Sequence, residues 1–200
     1  METFDAIRER RAVKHFDATH RFTPEEFNQL IDLAMQAPSS FNIQHWRLVN
    51  VTDPSLRQQI RASAWDQAQI TDASLLFVVT ADVKAWQKNP QHYWRNAPQE
   101  VQDFLVPMIA PFYEGKEQLQ RDEAMRSVGF IMQTMMLAAK AMSYDSCPMI
   151  GFDAEAVAKL IKLPNDHAIG AILAIGRGLK PAWPKAGFIE QSTLLINNHF

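Results

Sequence analysis

At 200 residues, with 47% hydrophobic and 21% charged side chains, the chain can bury one good core and is too short for two ordinary domains. Its net charge of −2 gives no reason to expect nucleic acid or an anionic membrane as a partner. The single Cys147 cannot form an internal disulfide, Met1–Asp5 shows no basic-then-apolar leader, and no apolar run reaches the roughly 20 residues that span a bilayer, so the expectation is a cytoplasmic single domain over 1–200.

Thr3 is placed as the cap of a first helix with Phe4, Ile7 and Arg11 along one face. The helix runs into Arg8-Glu9-Arg10-Arg11-Ala12-Val13-Lys14, where four cations face one carboxylate. Two readings fit this basic knot. Arg and Lys favour a solvated helix C-terminus, and the same groups make a phosphate clamp, because Arg offers a planar bidentate fork and Lys a point charge. Thr23-Pro24-Glu25-Glu26 starts a second helix, with Phe27, Leu30, Ile31, Ala34 and Met35 at helical spacing before Pro38 ends it. The loop Pro38-Ser39-Ser40-Phe41-Asn42-Ile43-Gln44-His45-Trp46 is dense in hydroxyls and carboxamides and ends in an aromatic, which suits a flat heterocycle with polar edges.

Residues 47–51 read as a strand, Asp53-Pro54 opens a helix to about Ser63, and Ser74–Ala81 is the best buried strand. Residues 82–116 carry Trp86, Tyr93, Trp94, Phe104, Phe112 and Tyr113 among four prolines. This stretch is either a helical excursion over a pocket or an ordinary helical layer with exposed aromatics. Glu117–Met142 is the longest helical pattern and turns apolar nearly all round, so it is expected to pack on most sides, a second subunit included. Pro148 and Gly151 flank an apolar turn, Asp153 caps a helix through Ile161, and 167–178 gives another buried strand. The tail from Pro181 ends in Thr193-Leu194-Leu195-Ile196, read as an apolar strand that reaches a partner subunit.

Several chemistries lack their residues. There is no G-x-G-x-x-G, P-loop or G-x-S-x-G, and no metal-ligand spacing among the six histidines and Cys147. Ser146 and Pro148 supply no thiolate stabiliser, so Cys147 reads as a bystander before it reads as a nucleophile. What remains is separated pieces: cations at 10–14, the carboxamide-rich loop, the 148–151 turn and Lys185. A flavin mononucleotide would use each of them, for its phosphate, its pyrimidine edge and its ring face.

Arg10-Arg11-Ala12-Val13-Lys14-His15-Phe16 resembles the Arg-Arg-Ser-Val-Arg-x-Phe opening of the FMN-dependent nitroreductase family. Pro38–Trp46 is similar to that family's Pro-Ser-Ser-x-Asn-x-Gln-Pro-Trp loop, and Pro148–Asp153 to its Pro-Met-x-Gly-Phe turn, in the same order and across essentially the whole chain. The resemblance implies an α+β fold with a central mixed, largely antiparallel sheet flanked by helices, in an intertwined homodimer whose C-terminal arms (181–200) exchange. It implies bound FMN and NADH or NADPH as hydride donor, with small-molecule nitroaromatic or quinone acceptors reduced by ping-pong transfer through flavin N5. Arg10, Arg11, Ala12 and Lys14 would hold the phosphate and ribityl chain. Pro38, Ser39, Ser40 and Asn42 would come from the partner subunit, and Asp66 and Gln69 would lie near the flavin. Pro148, Met149, Ile150 and Gly151 would follow the ring, with the 150 and 151 N–H groups toward N5 and O4, and Lys185 and Gly187 would complete the phosphate end. The implied chemistry needs no side-chain acid or base and no metal. Ala12 for Ser, His45 for Pro, Asp66 for Asn and Ile150 for Glu depart from the family pattern and bear on substrate choice. Alternatives are a dedicated enal or semialdehyde reductase on the same scaffold, a flavin-binding module without turnover, and, more distantly, a Cys147 hydrolase.

Overall fold

Capping chemistry sets several helix starts. In the computed structural model, which describes residues 1–200, α1 (Thr3–Glu9) is followed by α2 (Pro24–Ala34), where the Thr23 hydroxyl accepts from Glu26 N–H and the Glu26 carboxylate accepts from Thr23 N–H. Such a reciprocal cap is worth about 1 kcal/mol. Asp53 caps α3 (Pro54–Ala62) through Ser55 and Leu56 N–H, and Asp153 caps α8 (Ala154–Leu160) through Glu155 and Ala156 N–H. β1 (Trp46–Asn50) precedes α3, and between α3 and α8 come α4 (Gln69–Asp72), β2 (Leu75–Asp82), α5 (Pro90–Trp94), α6 (Gln99–Tyr113), α7 (Glu117–Ala141) and β3 (Asp145–Met149). The chain ends through β4 (His167–Gly176) and α9 (Gln191–Leu194).

The four strands pair antiparallel in the order β1-β2-β4-β3, and Ala12 adds an isolated parallel bridge to Ser146. Period-two alternation splits the core in two. Leu75, Phe77, Val79, Leu173 and Ile175 face α2 and α7, while Leu76, Val78, Ile172, Ala174 and Cys147 face Ile60 of α3 and Val157 of α8. The central β2 is buried along its whole length. This is the expected α+β architecture, with the sheet between two helical layers.

The register of β2 on β4 shifts between Val79 and Thr80, whose partners are Ala171 and Ile169, so Gly170 is the extra residue of a bulge. A Cβ there would lie 2.4 Å from Val128 Cγ1 on α7. Val128 is β-branched and stiff, so relief must come from backbone movement. Gly170→Ala is expected to destabilise the fold by about 1–3 kcal/mol, read as a lower urea midpoint with an unchanged denaturant slope.

The structure corrects several local expectations. Thr3 is the first helical residue of α1, not its cap; Glu2 takes the cap position without a side-chain bond. Phe4 and Ile7 are exposed and only Ala6 is buried, because α1 turns its small side toward the chain's own core. Met35 ends α2 exposed rather than on the buried face. Pro148 and Met149 belong to β3, an edge strand, where a missing N–H is tolerated; the turn begins only at Ile150. Residues 191–194 form one helical turn instead of a strand, since no free sheet edge of this chain meets them. Stretch 82–116 is broken helix, with Pro90 and Pro98 at helix starts while Pro107 and Pro111 lie inside the uninterrupted α6, and α7 buries most of its apolar residues from Ala124 to Ala139 while leaving Arg121, Arg126, Gly129, Phe130 and Gln133 among its exposed ones.

Candidate functional site

Past α1 the backbone becomes extended, and Val13 N–H donates to Ser146 O at 3.0 Å, laying residues 12–14 along β3. Alternation then buries Val13 and leaves Ala12 and Lys14 exposed on the opposite side. Arg11, Ala12 and Lys14 face Pro184 and Lys185 of the tail across a cavity of about 400 Å³. Two stretches over 170 positions apart thus place three cations around one hollow. Arg10 is half-buried beside it and does not line it; its carbonyl accepts from Arg11 Nη1 at 2.9 Å. Lys185 Nζ stands 4.9 Å from the Phe188 ring centroid, and Gly187 has open space where a side chain would be.

The floor beside the cations is hydrogen-bonded end to end. Lys14 Nζ reaches Cys147 Sγ at 3.6 Å, and Gln69 Nε2 approaches the same sulfur at 3.8 Å. Gln69 donates to Gln67 Oε1 at 3.0 Å, and Gln67 Nε2 donates to Gly151 O at 2.9 Å. Burial pushes the Cys147 thiol upward, outweighing the lowering by Lys14 and Gln69, so the sulfur stays protonated. That disfavours Cys147 as a nucleophile. Beyond it, the Ile150 and Gly151 N–H groups have no hydrogen-bond partner in the chain, and Ile150 is 84% exposed.

Sequence reasoning missed Trp65, Gln67 and Cys147 as parts of this surface. Trp65 and Asp66 are consecutive residues with positive φ (54° and 52°). This left-handed turn throws the indole over Gly151, where an added Cβ would meet the ring at 2.4 Å. The Asp66 carboxylate turns away to Arg61 Nε at 2.7 Å, so its charge is paired. Met149 is buried in the core while Pro148 is half-buried.

The carboxamide-rich loop is shaped by positive φ at Phe41, Asn42 and Gln44. Ser39 Oγ accepts from Gln44 N–H at 2.8 Å, Asn42 Nδ2 donates to Tyr93 O at 2.9 Å, and Trp94 Nε1 donates to Phe41 O at 3.0 Å. The excursion therefore fastens the loop. His45 anchors its end: fully buried, with Nδ1 3.1 Å from Ser127 Oγ.

Pro38, Ser39, Ser40 and Asn42 do not meet the cations within one chain. The loop feeds β1, one edge of the sheet, whereas the cations and residues 147–151 sit at β3, the other edge. Three strand spacings, about 14 Å, separate the two edges. Away from both, Asp82, Asp166 and His167 converge within 4.8 Å of one another. Lys88 Nζ already lies 2.8 Å from Asp82 and 2.5 Å from Asp166 and holds the Asp166 carboxyl down at about 2, helped by His167.

The model of the Nitroreductase family matches residues 7–177. Protein DrgA from Synechocystis is 62% identical over 182 residues, covering 91% of this chain and 87% of its own. MhqN from Bacillus subtilis, provisionally named an NAD(P)H nitroreductase, is 32% identical over 86% of each chain. A solved structure from Exiguobacterium sibiricum, provisionally named a nitroreductase and in complex with FMN, superimposes with a TM-score of 0.87. It shares 25% identity over 94% of this chain and 93% of that one.

Proposed function

This chain belongs to the nitroreductase family, and we propose that residues 1–200 act as one domain of an NAD(P)H-dependent FMN oxidoreductase. Its substrates are small electron-poor acceptors of the nitroaromatic or quinone type. The carrying observation is the convergence of Arg11, Lys14 and Lys185 on one cavity, beside a shelf made by Trp65, Ile150 and Gly151. No helix is long and apolar enough to cross a membrane.

The residues present fit FMN. A phosphate dianion needs two or more cations, and the cavity offers three with no carboxylate on its wall. Residues Ile150 and Gly151 offer unpaired N–H donors. When bound, FMN would supply the redox chemistry, hydride transfer between NADH or NADPH and the acceptor. The chain's own groups bind and orient. Lys14 and Arg11 neutralise phosphate, and Lys185 closes that end from the tail. Gln67 fixes the Gly151 carbonyl and so the aim of the neighbouring N–H groups. Trp65 offers a face for a flat acceptor. The loop at Ser39–Asn42 faces a second copy's cations, which makes the working unit a homodimer with exchanged arms. The separation of the two sheet edges favours this arrangement over a site within one chain.

Anaerobic addition of NADH or NADPH to the FMN-loaded protein is expected to bleach the yellow colour rapidly, and a quinone or nitroaromatic is expected to restore it. A protein that bound no FMN, or whose flavin stayed yellow with both nicotinamides, would refute the reading. Lys14→Ala removes one charge-assisted contact and no fold contact beyond Cys147. It is expected to weaken FMN about 10- to 100-fold, measured by quenching of flavin fluorescence.

A further inference from the structure

We propose that the cavity between Arg21 and Arg57 binds a phosphate-type oxyanion. This cavity, of about 350 Å³, shares no residue with the Lys14 hollow; it lies where β1 ends and β2 begins. Its volume is at the small end of ligand pockets. Arg21, Thr52, Arg57, Gln58, Thr71 and Ser74 supply its polar wall, and no carboxylate lines it.

Charge is the main argument. Arg57 is half-buried and donates to three carbonyls, Val51 at 2.8 Å, Ala73 at 2.6 Å and Ser74 at 3.2 Å. These bonds orient the guanidinium but leave its charge unneutralised, and neither Arg21 nor Arg57 has a carboxylate within 4.0 Å. Burial and the like charge of Arg21 both weigh against the Arg57 cation. A half-buried cation facing a second cation is unfavourable until an anion sits between them. The nearby acids are engaged elsewhere. Asp53 accepts from Ser55 and Leu56 N–H, and Asp72 Oδ1 lies 2.9 Å from the Thr71 hydroxyl, which the Ala68 carbonyl also approaches at 3.0 Å.

Donor geometry points the same way. Three of the five Arg57 N–H groups are used, leaving one on each terminal nitrogen. Arg21 uses only Nη1, toward Ala18 and His20 carbonyls, and it is exposed enough to swing. Thr52 and Gln58 side chains make no hydrogen bond. Two guanidinium forks with flanking hydroxyl and amide donors match a tetrahedral oxyanion, whether free phosphate or the phosphoryl group of a small metabolite. Helix α4 joins this cavity to the first site, since Thr71 lines it while Gln69 reaches Cys147.

The test is calorimetric titration of the full chain, saturated with FMN so that phosphate cannot act at the Lys14 hollow. Sodium phosphate and adenosine monophosphate are the two probes, with sodium chloride at matched ionic strength as control. Binding of either probe above the control, weakened at least about tenfold in Arg21→Gln, supports the site. The probe that binds identifies a free ion or a phosphomonoester. Arg57→Gln should act likewise; if it fails to fold, Arg21→Gln still decides, because Arg21 bonds only neighbouring carbonyls. No heat above the chloride control for either probe, or equal affinity in Arg21→Gln and wild type, would overturn the proposal.

Discussion

A chain ending at Lys180 is expected to fold, to purify colourless and to bind FMN at least about 100-fold more weakly than the intact chain, a loss of about 3 kcal/mol or more. Folding should survive because the tail adds little to the chain's own core. Trp183 is 88% exposed, and Phe188, Leu194, Leu195 and Phe200 are exposed as well. So much apolar surface without a partner in its own chain supports the proposal that this segment packs on a second copy. The truncation has two effects. It removes Lys185 and the Pro181–Pro184 wall of the cationic cavity, a charge-assisted contact worth about 1.5–3 kcal/mol. It also removes the arm proposed to bind the second copy, and with it the partner's loop at Ser39–Asn42. Size exclusion and a fluorescence titration read the two effects separately. A truncated chain that still elutes as a dimer with undiminished FMN affinity would leave the tail without either role.

The second large effect is acid lability centred on His45. The Ser127 hydroxyl donates to the Glu123 carbonyl at 2.9 Å, so His45 Nδ1–H must donate to Ser127 Oγ, leaving Nε2 as a bare acceptor. A proton on Nε2 would find no partner, and burial lowers the His45 pKa to about 4, against a partial opposing pull from Asp82. Above pH 6.5 both native and unfolded forms are neutral, and the group contributes nothing to pH dependence. Between 6.5 and about 4 the unfolded chain takes up a proton that the native chain refuses, so stability falls as pH falls. The drop amounts to about 3 kcal/mol over that window and levels off below it. Because His45 closes the Pro38–Trp46 loop, flavin release should follow the same profile. His45→Gln, which keeps an acceptor and donor near Ser127 but does not titrate, should flatten it. Urea midpoints across that pH range would show the difference, and a wild-type profile parallel to that of the variant would remove His45 as the cause.

Much of the architecture was legible because it rests on short-range chemistry. The Thr23 and Asp153 caps, the buried run of β2 and the long apolar α7 each follow from neighbours a few positions apart. The errors have different causes. Thr3 misses the helix start by one position, whereas Phe4 and the 193–196 stretch have character that depends on what lies opposite them, and one chain supplies nothing opposite. Motifs single out Arg11, Lys14 and Gly151, and the structure places the first two on the wall of one cavity. The Lys14–Cys147–Gln69–Gln67–Gly151 chain was not legible, because it joins an extended segment, β3 and α4 across as many as 133 positions. Asp66, a departure from Asn in the family pattern, is turned back to Arg61 by the left-handed turn at Trp65–Asp66, which the sequence does not signal. The loop at Pro38–Trp46 reads from sequence as a candidate binding element, but only the strand order shows that it stands at the sheet edge opposite the cations.

That separation makes a site shared between two copies the central claim, and sedimentation velocity followed at the visible absorbance of FMN tests it most directly. Across a dilution series the flavin is expected to sediment only with the species of two chains and to be released as that species dissociates; flavin sedimenting with a single chain would contradict the shared site.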